Sequence, residues 1–411
     1  MNNPLPKNML PAPEARDLIL GQLRAIDGRE RVSVRDALGR VLSEDIIAPY
    51  NVPAHDNSAM DGYAFRFADL SPGTETPLTI VGTAFAGQPF DGSLGIGQAL
   101  RIMTGAPIPT GADTVIAQEA VQADERTVHI PARIRKGQNL RRAGEDLALG
   151  GVALPAGKRC GPAELGLIAS LGIAEVSVYR RLRVALFSTG DEVASIGNPL
   201  GPGQIYDSNR YTLTGALHQL GCDIIDMGVI PDDPLALEAA FRSGAANADV
   251  VLTSGGVSVG EADHTRELFE QLGEVSFWQL AIRPGRPMAF GRIDGTLLFG
   301  LPGNPVAVMV TFYQFVREAL LKLGGVSPLP EPSLFEAITL DDISKRVGRR
   351  EFVRGYFTWT PEGPRVRTAG RQGAGILKSM SEANCLIVLF EERGNVAAGE
   401  RVAVQPFDGL L

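Results

Sequence analysis

Residues that bind soft metals or form disulfides are scarce in this sequence. It has three cysteines, Cys160, Cys222 and Cys385, and four histidines among 411 residues. The cysteines are odd in number and far apart, which excludes a disulfide framework, argues against a thiolate zinc site and favours a cytoplasmic location. The histidines form no metal-ligand spacing, so we expect any bound metal to be a hard cation such as Mg²⁺, held by carboxylates.

Positive charge and long apolar runs are also in short supply. The 39 lysines and arginines stand against 47 acidic residues, a formal net charge of -8, which indicates no broad nucleic-acid-binding face. No apolar run could cross a bilayer, and the segment MNNPLPKNML has no signal-peptide core, so we expect a soluble protein with no membrane partner. The sequence contains neither G-x-x-x-x-G-K-[ST] nor G-x-G-x-x-G, which excludes a P-loop and counts against a dinucleotide fingerprint.

The apolar residues that are present indicate several domains of different texture. Residues 182–325 alternate compact apolar runs, such as RVALFST and ADVVLTSGG, with helical stretches such as RYTLTGALHQLG and TRELFEQLG. This alternation is typical of a doubly wound, mainly parallel sheet. Residues 30–180 and 335–411 carry short alternating runs that predict β-rich domains, and residues 13–26 predict a helix beginning at Pro13.

The turns that follow the sheet-domain strands combine carboxylates with glycines. Asp191 and Glu192 follow one strand, Asp232 and Asp233 another, and Glu261 and Asp263 lie in the turn SGGVSVGEAD. The segment GLPGNPV ends the set, with Pro305 suited to the first turn of a helix whose free N–H groups face the ligand crevice. Acidic groups beside N–H-rich turns favour a phosphate ester together with Mg²⁺. The alternative is that each aspartate is a helix cap or turn former.

Arginines and polar turns supply further candidates. Arg283 and Arg286 flank a Pro-Gly turn, and their forked guanidinium groups suit a tetrahedral oxyanion, although two solvated surface arginines remain the alternative. Asp61 lies in the polar segment HDNSAMDGYAFR, and Thr104 ends a strand in RIMTGAPIP. Because no serine or cysteine has an adjacent histidine base, electrostatic and metal assistance are the favoured catalytic means. We expect the acidic turns and the arginines to share one crevice.

Taken together, these motifs resemble the molybdopterin molybdenumtransferase family, which includes the E domain of gephyrin. The matching segments are DNSAMDGYA, RIMTGAPIP, GQNLRRAGED, ALFSTGDE, GQIYDSNR, TSGGVSVGEAD, RPGRP, GLPGNPV and GNVAAGERVAV. The resemblance implies an L-shaped homodimer of four-domain subunits whose active cleft lies at the subunit interface. It implies that adenylylated molybdopterin and molybdate give molybdenum cofactor and AMP with the help of a divalent cation, and that molybdopterin adenylyltransferase and molybdoenzymes are partners.

The resemblance also implies roles for individual residues. Catalytic residues that face the cleft from the β-rich lobe would be Asp61, Thr104 and Asp146. Metal ligands and catalytic groups on the sheet-domain rim would be Glu192, Asp232 and Asp263. The substrate would be bound by Gly255, Gly256, Ser258, Gly260, Pro302, Gly303, Asn304 and Pro305. Molybdate or phosphate would be held by Arg283, Arg286 and Arg349.

With the resemblance, the chain is predicted to form four domains. A linking α/β domain covers 29–48 and 150–180, and a β-rich lobe covers 49–149. The doubly wound α/β domain, with the pterin and molybdate site, covers 9–28 and 181–330, and a C-terminal β domain covers 331–411.

Six positions depart from the family pattern, and two of them, Arg283 and Arg286, keep the positive charge of the usual lysines. Gln279 stands where a lysine is frequent, and Ala307, Ala374 and Gly375 stand where serines are usual. The hydroxyl contacts to molybdate that serines at 307 and 374 would offer are therefore missing, which can change oxyanion affinity or the preference for molybdate over tungstate.

Two other functions fit parts of the pattern. An adenylyltransferase that makes the adenylylated pterin would be a single compact domain with a GGTG turn, whereas this chain is far longer and has SGGVSVGEAD. A non-catalytic cofactor-binding protein or scaffold could use the same fold, but it would not need Glu192, Asp232 and Asp263 together.

Overall fold

The computed structural model describes residues 9–256, 268 and 271–410. The chain divides into two compact units. Unit 1 consists of Met1–Ser43, Gly157–Cys160 and Val176–Leu411, and unit 2 of Glu44–Ala156 and Gly161–Glu175.

Helices and strands follow one another along both units. The described α-helices are α1 (Ala12–Gly21), α2 (Pro162–Ser170), α3 (Asn209–Gln219), α4 (Pro234–Asn247), α5 (Pro305–Thr311), α6 (Arg317–Leu323) and α7 (Lys378–Glu382). The strands of the first part of the chain are β1 (Arg29–Ser33), β2 (Ile46–Ile47), β3 (Asn57–Ser58), β4 (Gly62–Phe65), β5 (Thr76–Ala84), β6 (Gln98–Ile102), β7 (Thr114–Ala117), β8 (Gln122–Ala123), β9 (Thr127–Ile130), β10 (Leu140–Arg141), β11 (Val152–Leu154) and β12 (Glu175–Tyr179). Those of the second part are β13 (Arg183–Thr189), β14 (Val193–Ala194), β15 (Ile205–Tyr206), β16 (Asp223–Ile230), β17 (Val250–Ser254), β18 (Gly273–Gln279), β19 (Ile282–Arg283), β20 (Pro287–Ile293), β21 (Thr296–Leu301), β22 (Phe335–Thr339), β23 (Arg350–Thr360), β24 (Gly363–Thr368), β25 (Cys385–Leu389) and β26 (Arg401–Pro406).

A six-stranded sheet with the order β16-β13-β17-β21-β20-β18 forms the centre of unit 1. The pairs β16–β13, β13–β17 and β17–β21 are parallel, whereas β20 is antiparallel to both β21 and β18. The prediction of a doubly wound, mainly parallel sheet is therefore confirmed. Its parallel part brings the carboxyl ends of four strands to one edge.

Both faces of this sheet are covered by helices, which explains the compact apolar runs of the sequence. Successive strand residues point to opposite faces, so Leu186 packs in the cluster that contains Ile19 of α1 and Leu217 of α3. The next residue, Phe187, packs on the other face against Phe241 of α4, with ring centroids 5.1 Å apart. Because these strands are buried on both faces, their sequences do not alternate between apolar and polar residues.

The helices differ from the sequence prediction at one end of the chain. The predicted helix over residues 13–26 ends at Gly21, and Ile26 donates its backbone N–H to the carbonyl oxygen of Leu323 at 2.9 Å. The helix expected over RYTLTGALHQLG is α3, and of the stretch TRELFEQLG only residues 268 and 271–273 are described. Within the described part of the chain, every helix is too short or too polar to span a lipid bilayer.

The C-terminal strands form a second sheet, in which β23 pairs with both β24 and β25, so that the strands β23-β24-β22-β26-β25 close on themselves. The predicted β-rich C-terminal domain is thereby confirmed as barrel-like. Strand β19, which comes from the sheet domain, adds to this sheet parallel to β23, with Arg283 opposite Glu351. That pairing holds the turn after β19 against the start of β23.

Unit 2 contains a sheet with the order β7-β4-β6-β5-β9-β8. Strands β4 and β6 are antiparallel, with Gly62 opposite Ile102. Asp61 precedes β4 and Thr104 follows β6, so this register places the two residues at the same end of the sheet.

We expect Phe187→Ala to lower the free energy of unfolding by about 3–5 kcal/mol, because it leaves a cavity where the ring packs on Phe241. Chemical denaturation measures this change. Leu235→Ala is the control, since Leu235 is 76% exposed and its loss is expected to change stability by no more than about 0.5 kcal/mol. Equal effects of the two substitutions would contradict the packing described here.

Candidate functional site

A cleft of about 100 Å³ opens at the carboxyl edge of the parallel strands. Each strand contributes the residues that follow it to the lining: Gly190 and Glu192 after β13, Asp232 after β16, Gly255 and Gly256 after β17, and Gly303 and Pro305 after β21. The cleft therefore lies where a ligand site is expected in such a sheet.

The carboxylates of Glu192 and Asp232 are exposed in this cleft. Asp232 accepts a hydrogen bond from the hydroxyl of Thr189, and its backbone N–H donates to Oδ1 of Asp191 at 3.3 Å. Neither Glu192 nor Asp232 forms an ion pair within the part of the chain that the structure describes. Both negative charges are thus free to act on a ligand.

Asp207, a third acid in the cleft lining, is in a different electrostatic state. It is buried, and its Oδ2 lies 2.9 Å from Nε of Arg210, while its Oδ1 accepts a hydrogen bond from Ser188 at 3.0 Å. Its charge is neutralised inside the protein, as buried carboxylates require. Asp207 therefore positions α3 and offers little charge to the cleft.

The acids of the cleft provide only part of a metal site in the described residues. Carboxylate oxygens are the ligands that Mg²⁺ prefers, and Glu192 and Asp232 line the same cleft. The described residues contain no group of three or more histidine, cysteine, aspartate or glutamate side chains that could hold a metal ion. Asp263, the third predicted ligand, lies outside the described residues, as do Ser258, Gly260 and Glu261.

The turn after β17 needs glycine at both described positions. Gly255 and Gly256 have φ values of +96° and +68°, and a Cβ on Gly255 would lie 2.4 Å from the carbonyl oxygen of Thr189. The N–H of Gly255 donates to the carbonyl oxygen of Leu301 at 3.1 Å. The turn is therefore packed tightly between the ends of β13 and β21.

A second cavity of about 540 Å³ lies beside the loop that follows β21. Its lining includes Arg283 at the end of β19, Arg286 in the turn that follows, and Pro302, Gly303 and Asn304 from the loop. Gly303 lines this cavity and the acidic cleft alike. The acids and the arginines thus line two neighbouring cavities that meet at one loop, rather than the single crevice expected from the sequence.

A third arginine, Arg354, lines the second cavity and was missed by the sequence analysis. Arg354 is 1% exposed and donates hydrogen bonds to Oγ of Ser379 at 3.1 Å and to the carbonyl oxygen of Gly373 at 3.0 Å. Burial lowers the pKa of Arg354 to about 10, and the positive charge of Arg283 acts in the same direction. The sequence signal for Arg354 is its position two residues after Phe352. Alternate residues of a strand share a face, and Phe352 and Arg354 are both buried.

The departures from the family pattern fall partly on this cavity. Ala307 and Ala374 both line it, so their methyl groups stand where hydroxyls would offer hydrogen bonds. Gln279 ends β18, opposite Pro287. Arg349, predicted to hold an oxyanion, is half-buried in the turn before β23 and does not belong to the described lining of either cavity.

The three predicted residues of the β-rich lobe all belong to unit 2. Asp61 Oδ1 accepts hydrogen bonds from both the backbone N–H and the hydroxyl of Thr104, each at 2.7 Å. These two bonds, the backbone one foremost, lower the pKa of Asp61. Asp146 is exposed in a loop, where its N–H donates to the carbonyl oxygen of Val52 at 3.0 Å. Its side chain has no hydrogen bond to Asp61 or Thr104 among the described residues.

Comparison with known families accounts for almost the whole chain. The MoeA N-terminal region (domain I and II) matches residues 10–172, a probable molybdopterin binding domain matches residues 185–322, and the MoeA C-terminal region (domain IV) matches residues 336–407. The molybdopterin molybdenumtransferase of Haemophilus influenzae is 46% identical over 405 residues, which cover 98% of this chain and all of that protein. The chain belongs to the molybdopterin molybdenumtransferase family.

Other members of the molybdopterin molybdenumtransferase family agree in sequence and in fold. The protein of that name from a Nostoc species is 35% identical and covers 96% of this chain and 94% of its own length. The crystal structure of the molybdopterin biosynthesis MoeA protein from Pyrococcus horikoshii matches with a TM-score of 0.84 and 30% identity, covering 97% of this chain and all of that one. The family resemblance inferred from the sequence motifs is confirmed.

We expect Thr104→Val to raise the pKa of Asp61 towards its ordinary value, because the ionised carboxylate loses the hydroxyl bond and keeps only the backbone bond. Titration of the side-chain carboxyl carbon by NMR measures this pKa. Asp124, whose pKa is lowered by the backbone N–H groups of Arg126 and Thr127, is the internal reference and should not move. An unchanged Asp61 pKa would show that the hydroxyl bond does not stabilise the carboxylate.

Proposed function

We propose that this chain is a molybdenum insertase, which transfers molybdate into adenylylated molybdopterin, releases AMP and forms the molybdenum cofactor. Its relatives named molybdopterin molybdenumtransferase support this transferase activity. The observation that carries the proposal is the meeting of an acidic, glycine-lined cleft and an arginine-lined cavity at Gly303. The acidic cleft suits a phosphoanhydride together with its metal ion, and the arginine-lined cavity suits a tetrahedral oxyanion.

The acidic cleft suits the phosphate part of the substrate. Gly255 and Gly256 let the backbone approach a phosphate closely, and Glu192 and Asp232 would hold Mg²⁺ beside it. Bound there, Mg²⁺ would neutralise the charge that develops on the departing AMP. Asp263 is the further ligand that the sequence predicts.

Asn209 fixes the wall between the two cavities. Its Nδ2 donates hydrogen bonds to Oγ of Ser254 at 2.8 Å and to the carbonyl oxygen of Gly303 at 2.7 Å. The end of β17 and the loop after β21 are thereby tied together. A substrate that reaches from one cavity to the other needs this wall to be in a defined position.

The arginine cavity suits molybdate. Molybdate is a tetrahedral dianion, and guanidinium groups donate in a fork that matches such oxyanions. Arg283 and Arg286 present exposed guanidinium groups, whereas Arg354 contributes a buried positive charge. The absence of hydroxyls at Ala307 and Ala374 removes two neutral donors, so these charges would carry more of the binding.

We further propose a cytoplasmic homodimer whose active cleft lies at the subunit interface, with molybdopterin adenylyltransferase and molybdoenzymes as partners. The family resemblance supports the dimer and the partners, and the small, odd number of widely spaced cysteines supports a reducing compartment. Sedimentation velocity at micromolar concentration tests the dimer directly, and a single species with the mass of one chain would contradict it.

We expect the purified protein to release AMP from adenylylated molybdopterin when molybdate and Mg²⁺ are supplied. The assay follows AMP by chromatography, with molybdate and tungstate side by side and a reaction without protein as the control. AMP release no faster than in that control would favour the scaffold over the enzyme.

We expect Asp232→Asn to slow AMP release by at least about tenfold, since it removes one charged ligand from the proposed Mg²⁺ site. Asp233→Asn is a matched control. Asp233 is the next residue, but it caps α4 by accepting from the N–H of Ala236 at 2.9 Å and does not line the described cleft, and asparagine caps helices equally well. Equal rates for the two variants would count against Asp232 as a metal ligand.

A further inference from the structure

A buried glutamate, Glu351, lies in the wall of the arginine cavity. It is 4% exposed, and its Oε1 is buried with no hydrogen-bond partner among the described residues. Its Oε2 lies 3.5 Å from Nη1 of Arg283, the distance of a loose ion pair rather than of a hydrogen bond. The carboxylate that lines the cavity therefore keeps one unsatisfied oxygen.

The neighbouring cations already have other hydrogen-bond acceptors. The buried ammonium of Lys345 donates to the carbonyl oxygens of Arg346, Glu391 and Arg393, at 3.3, 3.5 and 2.6 Å. Arg354 donates to Ser379 and to the carbonyl oxygens of Arg371 and Gly373. Neither cation donates a hydrogen bond to Glu351 within the described part of the chain, so its Oε1 stays unsatisfied there.

A carboxylate in this position opposes part of the proposed function. A negative charge in the wall of a cavity repels a dianion, and a buried acceptor without a donor costs free energy. If the cavity only held molybdate, a glutamine at this position would bind it better. Besides balancing the charges of Arg283 and Lys345, a carboxylate here would be able to take up a hydrogen from the ligand, which a glutamine could not.

We propose that Glu351 accepts and returns a proton during molybdenum insertion, a role that rests on the proposed function. When molybdate joins the two thiol groups of the pterin, two S–H bonds and one Mo–oxo bond break, and two Mo–S bonds and the two O–H bonds of water form. No electron is exchanged with another reagent. Glu351 takes one thiol proton and delivers it to the departing oxygen, and the second proton passes to the same oxygen from the other thiol.

Glu351→Gln tests this role because it keeps the size of the side chain and removes both the charge and the proton-accepting group. The binding of molybdate and of sulfate is measured by calorimetry, and molybdenum cofactor formed from adenylylated molybdopterin is measured in single turnovers. We expect E351Q to bind both oxyanions several-fold more tightly, since the repulsion is gone. We expect it to form cofactor roughly 100-fold more slowly, the usual loss when a general acid–base group is removed.

Glu391→Gln is the matched control. Glu391 is a half-buried glutamate whose Oε1 lies 3.2 Å from Nε of Arg350, and it does not belong to the described lining of the cavity. We expect E391Q to leave both binding and transfer close to those of the wild type. A fall of binding and transfer together in E351Q, or an unchanged transfer rate, would overturn the proposal.

A second variant covers the case in which E351Q does not fold. Glu351→Asp keeps the carboxyl group but withdraws it by one methylene, so we expect slower transfer with little change in sulfate binding. Unchanged transfer in E351D would overturn the proposal equally. Wild-type protein that forms no cofactor at all would refute the proposed function itself, which separates that failure from the failure of the role given to Glu351.

Discussion

The parallel alignment of β16, β13, β17 and β21 is the constraint on which the acidic cleft depends. Parallel strands end at the same edge of a sheet, so residues far apart in the sequence come together there. Strong contacts between those residues are not required. Asp232, Glu192 and Gly255 reach the cleft only because the strands before them are in register. The apolar clusters on the two faces of the sheet fix that register, so the stability of the core and the geometry of the site have one origin.

The charged groups around this sheet differ in how deeply they are buried and in whether they are paired. Asp207 is buried and is paired with Arg210, whereas Glu192 and Asp232 keep their charges in the open cleft. Arg354 is a buried cation whose hydrogen bonds go to neutral oxygens. An ion pair neutralises a charge, which then attracts a ligand only weakly, whereas hydrogen bonds to neutral groups leave the charge in place. The cavity walls therefore keep charges that can act on a ligand.

The sequence was sufficient for features that depend on local pattern. Runs such as RVALFST identified the buried strands, and Glu192 and Asp232 follow strand ends as expected, because strand period and turn chemistry are local properties. Arg354 and Glu351 could not be assigned in this way. Both lie in a strand of the C-terminal sheet, and they reach the arginines only through the pairing of β19 with β23, which joins segments far apart along the chain. The division into two cavities likewise follows from the path of the loop around Gly303, which no local pattern encodes.

The position of Gly303 in the walls of both cavities has a thermodynamic consequence. Its carbonyl oxygen is held by Asn209, and a displacement of the loop in response to an occupant of one cavity would alter the shape of the other. Coupling transmitted in this way is reciprocal, because the factor by which the nucleotide end of a substrate changes oxyanion affinity must equal the factor by which the oxyanion changes affinity for the nucleotide. The order in which the two ligands arrive would then affect the rate of assembly but not its overall free energy.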